Sequence, residues 1–201
     1  MSGFIFINIR KNFSISWCGI KLNHSIEDDM KYYTGVGSRD TPSDVLELMM
    51  KVARKLAMQG WVLRSGGAGG ADTAFLRGAI DAGGVYENYV AWKGFSKEFT
   101  EILPDYEKSL NVLSSVENLN PRIYSRSLKD SVLRLHSRNV NQVLGMNLST
   151  PSKFVILYAP EDGINKVTGG TNTAYQVAKQ FDIPVFNLYK SVDRSRLELF
   201  L

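Results

Sequence analysis

A single cysteine, Cys18, in a chain of 201 residues excludes an internal disulfide and any zinc site built on a cysteine cluster; it suits a reducing cytoplasm. Histidine is almost as scarce. His24 and His136 each lack a His, Cys or carboxylate at metal-ligand spacing and look incidental, so no metal site is expected. No apolar run approaches the roughly 18 residues of a membrane span. The opening Gly3-Phe4-Ile5-Phe6-Ile7 lacks the preceding charge and following cleavage site of a signal peptide. Neither secretion nor a membrane partner is expected. Also missing are the G-x-S-x-G elbow, a plausible catalytic thiol, the G-K-[ST] ending of a Walker A loop and the G-x-G-x-x-G dinucleotide spacing. Charge of one sign is in short supply too: 24 Lys+Arg against 20 Asp+Glu leave a net +4. That excess favours a phosphate-bearing partner slightly and does not establish nucleic-acid binding.

What is there describes a globular chain. Hydrophobic residues make up 44% and charged residues 22%, in the range of soluble folded proteins, and the length suits one domain with a short extension. The pattern changes at Met30, where a strand-like run begins, and Glu27-Asp28 fits a purine-rich codon string just upstream of the Met30 codon. The expected organisation is therefore an N-terminal extension over residues 1–29 and one domain over residues 30–201. Two readings of the extension stay open: a segment outside the native protein, and a genuine peripheral arm.

From Met30 the periodicity alternates between short apolar runs and helical stripes. Strands are expected over residues 31–36, 61–64, 86–91, 153–158 and 183–188. A T-x-x-D capping box at Thr41 with Pro42 at the first helical position opens a helix. Val45, Leu48, Met49, Val52 and Leu56 then supply its buried face at i, i+3, i+4, i+7 and i+11. Residues 92–120 read as a lid or crossing helix. Helical spacing resumes over residues 124–148 through Leu128, Val132 and Leu135, and again at Ala174, Val177, Ala178 and Phe181. A short helix follows the last strand. Strands alternating with helices require crossover connections. The expected fold is a Rossmann-like three-layer α/β/α sandwich around a mainly parallel sheet of about five strands.

Ligands of such sheets bind beyond the carboxyl ends of the strands, where strand order reverses. Three loops should meet there. The first, Gly35-Val36-Gly37-Ser38-Arg39, offers close backbone approach, a hydroxyl and a guanidinium, or is an ordinary tight turn. The second, Ser65-Gly66-Gly67-Ala68-Gly69-Gly70, opens a helix whose amides form a natural anion site; Asp72 just inside that helix reads as a cap or as a ribose ligand. In the third, Thr168-Gly169-Gly170-Thr171-Asn172-Thr173, two glycines and three hydroxyls could ring a phosphate. Arg134, Arg138 and Asn141 share one helical face, for which a solvated charged surface is the default reading.

Four of these motifs, in order, resemble the DprA/Smf branch of the SLOG superfamily. They are Gly37-Ser38-Arg39, Leu56-Ala57-Met58-Gln59-Gly60, the run from Ser65 through Asp72-Thr73-Ala74, and Thr171-Asn172-Thr173-Ala174 followed by Ile183-Pro184-Val185-Phe186. Arg138-Asn139 is similar to that branch's R-N pair. The resemblance implies a nucleotide-binding Rossmann-like domain and brings in single-strand DNA binding of the DNA-processing kind. The chain ends at Leu201, without room for the winged-helix domain that many DprA proteins append. The sister LOG phosphoribohydrolases cleave nucleoside monophosphates with P-G-G-x-G-T-x-x-E and an upstream arginine. Laid on residues 168–176, that motif keeps Gly169, Gly170 and Thr173, with Arg138 as the arginine, but puts Gln176 at the carboxylate. A neutral amide neither stabilises an oxocarbenium ion nor acts as a general base.

The main expectation is thus a cytoplasmic binder of a nucleotide or other phosphate-bearing small molecule, with no cofactor implied and a homodimer kept open. The ligand-binding candidates are Gly37, Ser38, Arg39, Ser65, Gly66, Gly67, Ala68, Gly69, Gly70, Asp72, Arg138, Gly169, Gly170, Thr171 and Thr173. Two alternatives stand beside it: hydrolysis of an N-glycosidic or phosphate bond, with Asp72 and Arg138 as catalytic candidates, and single-stranded DNA binding.

Overall fold

The computed structural model describes residues 30–201; the expected extension over residues 1–29 lies outside the described residues. The chain lays down β1 (Lys31–Gly37), α1 (Ser43–Met58), β2 (Trp61–Ser65), α2 (Ala71–Asp81) and β3 (Tyr86–Asn88). It continues through α3 (Tyr106–Ser115), α4 (Pro121–Tyr124), α5 (Asp130–Leu144), β4 (Val155–Tyr158), α6 (Thr171–Gln180), β5 (Val185–Asn187) and α7 (Ser191–Phe200). All five strands are parallel, in the order β3-β2-β1-β4-β5. The architecture is the expected α/β sandwich.

Period-two alternation feeds two cores from one sheet. Tyr33 and Ile156 face α1, α2 and α7, whose Val45, Met49, Val52, Phe75 and Leu197 cover them. Val36, Val155 and Leu157 face the opposite layer, built from Leu110, Leu113, Leu133, Val140, Val143 and Val177 of α3, α5 and α6. The stripe expected for α1 is buried throughout.

Local expectations failed in instructive places. The capping box at Thr41 does not form, because the Thr41 hydroxyl donates to Ser38 O at 2.8 Å and α1 starts at Ser43 with no side-chain cap. The third strand ends at Asn88, since Val90 N donates to Ile102 O and Ile102 N to Asn88 O, which draws residues 89–102 into a separate bridge. The helix expected over residues 124–148 breaks into α4 and α5, with Arg126 at φ 52° between them and Gly145 at φ 77° after α5.

The strand order reverses between β1 and β4, which run side by side with Gly37 opposite Tyr158. Past their carboxyl ends the loops following β1, β2 and β4 converge, and α5 crosses beneath them.

Candidate functional site

A cleft of about 400 Å³ opens at this point, within the size range of small-ligand sites. Its wall holds Gly37, Ser38, Arg39 and Asp40 from the loop after β1, and Ala68 and Asp72 from the second loop and α2. From α5 come Val132, Leu135, His136, Arg138, Asn139 and Gln142, and from the third loop Thr168, Gly169, Gly170 and Thr171. Nine of the sequence candidates therefore come together. Six do not line the cleft: Ser65, Gly66, Gly67, Gly69, Gly70 and Thr173.

The reason lies under the second loop. Asp72, 3% exposed, sits in the first turn of α2, where the helix dipole favours an anion. Its Oδ2 accepts from Ala68 N at 3.3 Å and lies 3.5 Å from Nη1 of Arg138, itself 7% exposed; Gly37 N–H is a further donor to the carboxylate. The protein's own carboxylate thus fills the anion position that the glycine-rich turn creates. Burial raises Asp72 above the ordinary carboxylate range, against the pull of Arg138 and the two amides, and burial lowers Arg138. The guanidinium remains protonated even so.

The glycines of this turn make room for protein atoms. A Cβ on Gly66 would collide with Nη1 of Arg138 and Nε2 of Gln142. Gly70, at φ 76°, lets the backbone of Ser38 and Arg39 approach so closely that a Cβ would stand 2.6 Å from Arg39 O. The side that a Cβ would take is occupied by protein atoms at Gly66, Gly67 and Gly70 and open at Gly69. Ser65 is likewise committed, its buried hydroxyl donating to Gly35 O at 2.7 Å.

The third loop is built differently. Gly169 and Gly170 are exposed, and no atom lies within 4 Å of where a Cβ would stand on either. They lead into α6, whose first turn carries no acidic residue. Asn139 Nδ2 donates to Gly170 O at 2.9 Å and ties α5 to this corner. Thr173 is buried beneath, 2.7 Å from His136 Nδ1. Burial first, and then the charge of Arg138, lowers the His136 pKa and keeps the ring neutral at pH 7.

Two further readings are corrected. Arg138 and Asn141 do not form a solvated face: Asn141 is 1% exposed, with Oδ1 accepting from Ser109 Oγ at 2.6 Å, and only Arg134 reaches solvent, paired with Asp130 at 2.7 Å. Gln176 lies outside the cleft wall, its Nε2 donating to Asn165 O at 2.7 Å and Asn172 Oδ1 at 3.1 Å. The alignment that put a catalytic carboxylate there therefore does not describe this cleft. Sequence reasoning missed His136 and Gln142. For His136 the only signal was its place two residues before Arg138, with nothing to reveal Thr173 as its partner.

Among the described residues no group of three or more His, Cys, Asp or Glu could hold a metal ion, and no helix is long and apolar enough to cross a membrane.

No curated protein matches the chain in sequence. Among solved structures, DNA processing protein A (DprA) from Streptococcus pneumoniae is 18% identical with a TM-score of 0.49; 79% of this chain and 50% of that one are covered. The molybdenum cofactor (Moco) carrier protein of Chlamydomonas reinhardtii is 18% identical with a TM-score of 0.48, over 83% of this chain and 80% of that one. DNA processing protein A from Helicobacter pylori, described with a single-stranded DNA binding mode, is 16% identical with a TM-score of 0.44, over 79% and 64% of the two chains. Residues 23–110 match the family model of DNA recombination-mediator protein A, so the resemblance to the DprA branch holds across the segment that carries the first two glycine-rich loops.

Proposed function

We propose that this chain binds a nucleotide, or a closely related phosphate monoester, with its phosphate at the start of α6, and that it does not cleave it. The observation that carries this reading is the open backbone of Gly169 and Gly170 at a helix N-terminus without an acidic first turn. Amides there are unscreened donors, and the helix dipole favours an anion. Ser38 and Arg39 stand across the cleft and supply a hydroxyl and a positive charge. Val132, Leu135 and Ala174 add apolar wall against which a base or sugar can pack.

Chemistry is disfavoured by the state of the only buried carboxylate in the cleft. Asp72 is held by Arg138 and two backbone amides, which leaves it poorly placed to stabilise a developing oxocarbenium ion. His136, the other group able to move a proton, is bonded to Thr173.

The test combines calorimetric titration of nucleoside monophosphates with chromatographic detection of released base over many hours. Saturable binding with intact ligand is expected. Multiple turnovers, abolished in Asp72→Asn, would transfer the assignment to a hydrolase. The family match over residues 23–110 supports a second reading, single-stranded DNA binding. Under it, an oligonucleotide would bind with strongly salt-dependent affinity and a mononucleotide would not compete.

A further inference from the structure

His136 reaches the cleft from α5 with one ring nitrogen committed and the other open. Its Nδ1 lies 2.7 Å from the Thr173 hydroxyl in the first turn of α6. Nε2 has no hydrogen-bond partner among the described residues, yet it is not one of the fully buried polar atoms left without one, so it keeps contact with solvent. The ring is half-buried and forms part of the cleft wall, which places that contact in the cleft. Asn139, three residues further along α5, donates to Gly170 O, so one face of α5 sets both residues against the start of α6.

The kind of partner matters. A hydroxyl both donates and accepts, so Thr173 holds the ring whether or not Nδ1 carries a proton. His136 is therefore able to gain a proton without giving up its anchor. In the protonated ring both nitrogens are donors, and Nε2–H is the one left for a ligand.

Without a ligand, burial and the charge of Arg138 hold the ring neutral. The other charged groups of the cleft wall are Arg39, Asp40 and Asp72, and Asp72 is already paired with Arg138. Arg134, two positions earlier on α5, is paired with Asp130. The third loop contributes only Thr168, Gly169, Gly170 and Thr171 to the wall, and the first turn of α6 has no acidic residue to offset its positive dipole end. A phosphate at the start of α6 supplies the missing negative charge, and a nearby opposite charge favours the protonated imidazole.

We propose that His136 reads the charge of the ligand: it takes up a proton from solvent as a phosphate monoester binds at the start of α6, donates from Nε2 to that dianion, and so favours a terminal phosphate over the singly charged diester of a polynucleotide. The inference rests on the reading of the cleft as a phosphate site.

Ribose 5-phosphate is the probe, and a chain with only two histidines gives a simple readout. Proton NMR of the imidazole signals follows a pH titration of the full chain with and without the ligand, and His24→Gln assigns the signals. Calorimetry measures the binding itself. Ribose 5-phosphate should raise the His136 titration midpoint by about one pH unit or more. By linkage its affinity should rise severalfold, up to about tenfold per unit of that shift, from about pH 8 to about pH 6.5, where a phosphate monoester is still mainly dianionic. In His136→Gln that rise should flatten, and the preference for ribose 5-phosphate over its phosphate methyl diester should shrink. Saturable binding with an unshifted His136 signal would overturn the proposal and leave the phosphate site standing. A shifted signal with an unchanged pH profile and monoester preference in His136→Gln would overturn it as well. Absence of binding would overturn it together with the phosphate reading. The wild-type titration decides the question even if the His136 variant does not fold.

Discussion

Removing either partner of the Asp72–Arg138 pair should destabilise the fold far more than removing both. The two side chains are 4% and 8% exposed and 3.5 Å apart. In Arg138→Met the Asp72 carboxylate keeps the amides of Ala68 and Gly37 but loses its counter-charge in a site that already raises its pKa. In Asp72→Asn the guanidinium stays buried without a carboxylate. Breaking a buried pair from one side costs about 3–5 kcal/mol, because an uncompensated charge is left behind. For a domain of this size that lowers Tm by roughly 6–20 °C. The double variant removes both charges and should recover to within about 2 kcal/mol of the wild type, giving a coupling energy of about 4 kcal/mol or more. Urea denaturation followed by far-ultraviolet circular dichroism, on the wild type and the three variants, measures the cycle. Additive single losses, or single losses below about 1 kcal/mol as for a surface pair, would refute the claim that Asp72 is the internal anion of the second loop.

The remaining expectations follow the same geometry. Gly170→Val, at φ −65° and facing open space, should leave Tm unchanged yet abolish the thermal stabilisation given by ribose 5-phosphate, whereas Gly66→Ala should lower Tm through an overpacking cost of about 1–3 kcal/mol. Arg39→Ala, at an exposed position, should weaken binding of the same ligand several-fold in calorimetry without moving the unfolding midpoint. His136 has its folded pKa depressed below the ordinary 6.5. The unfolded chain then binds more protons than the native one below that value, so stability present above pH 6.5 is lost as pH falls through the depressed pKa. His136→Gln should flatten that decline in melting curves taken from pH 7 to pH 5. A chain that starts at Met30 should melt within a degree or two of the full chain, as a domain bounded at residues 30–201 requires.

The layers were legible because their signals are local. Val45, Leu48, Met49, Val52 and Leu56 repeat every helical turn, and the short apolar run Phe154-Val155-Ile156-Leu157 reads as a buried strand, whose Val155, Ile156 and Leu157 are buried in β4. The convergence of the three loops followed from topology alone. What each loop does could not be read the same way. Gly66 and Gly170 look alike in sequence, yet one admits Arg138 and Gln142 and the other faces open space. That difference is set by a helix some 70 positions further along the chain. The pairing of His136 with Thr173 and the turning of Thr41 toward Ser38 have the same character: a hydroxyl chooses its partner in space, among several that sequence spacing allows.

Where a phosphate sits in the cleft decides most directly between these readings. A crystal structure of the chain soaked or co-crystallised with guanosine monophosphate should show the phosphate oxygens within hydrogen-bond distance of the Gly170 and Thr171 amides, with the glycosidic bond intact and Asp72 still paired to Arg138. A phosphate lodged on residues 66–70, or free base beside ribose 5-phosphate in the cleft, would contradict it.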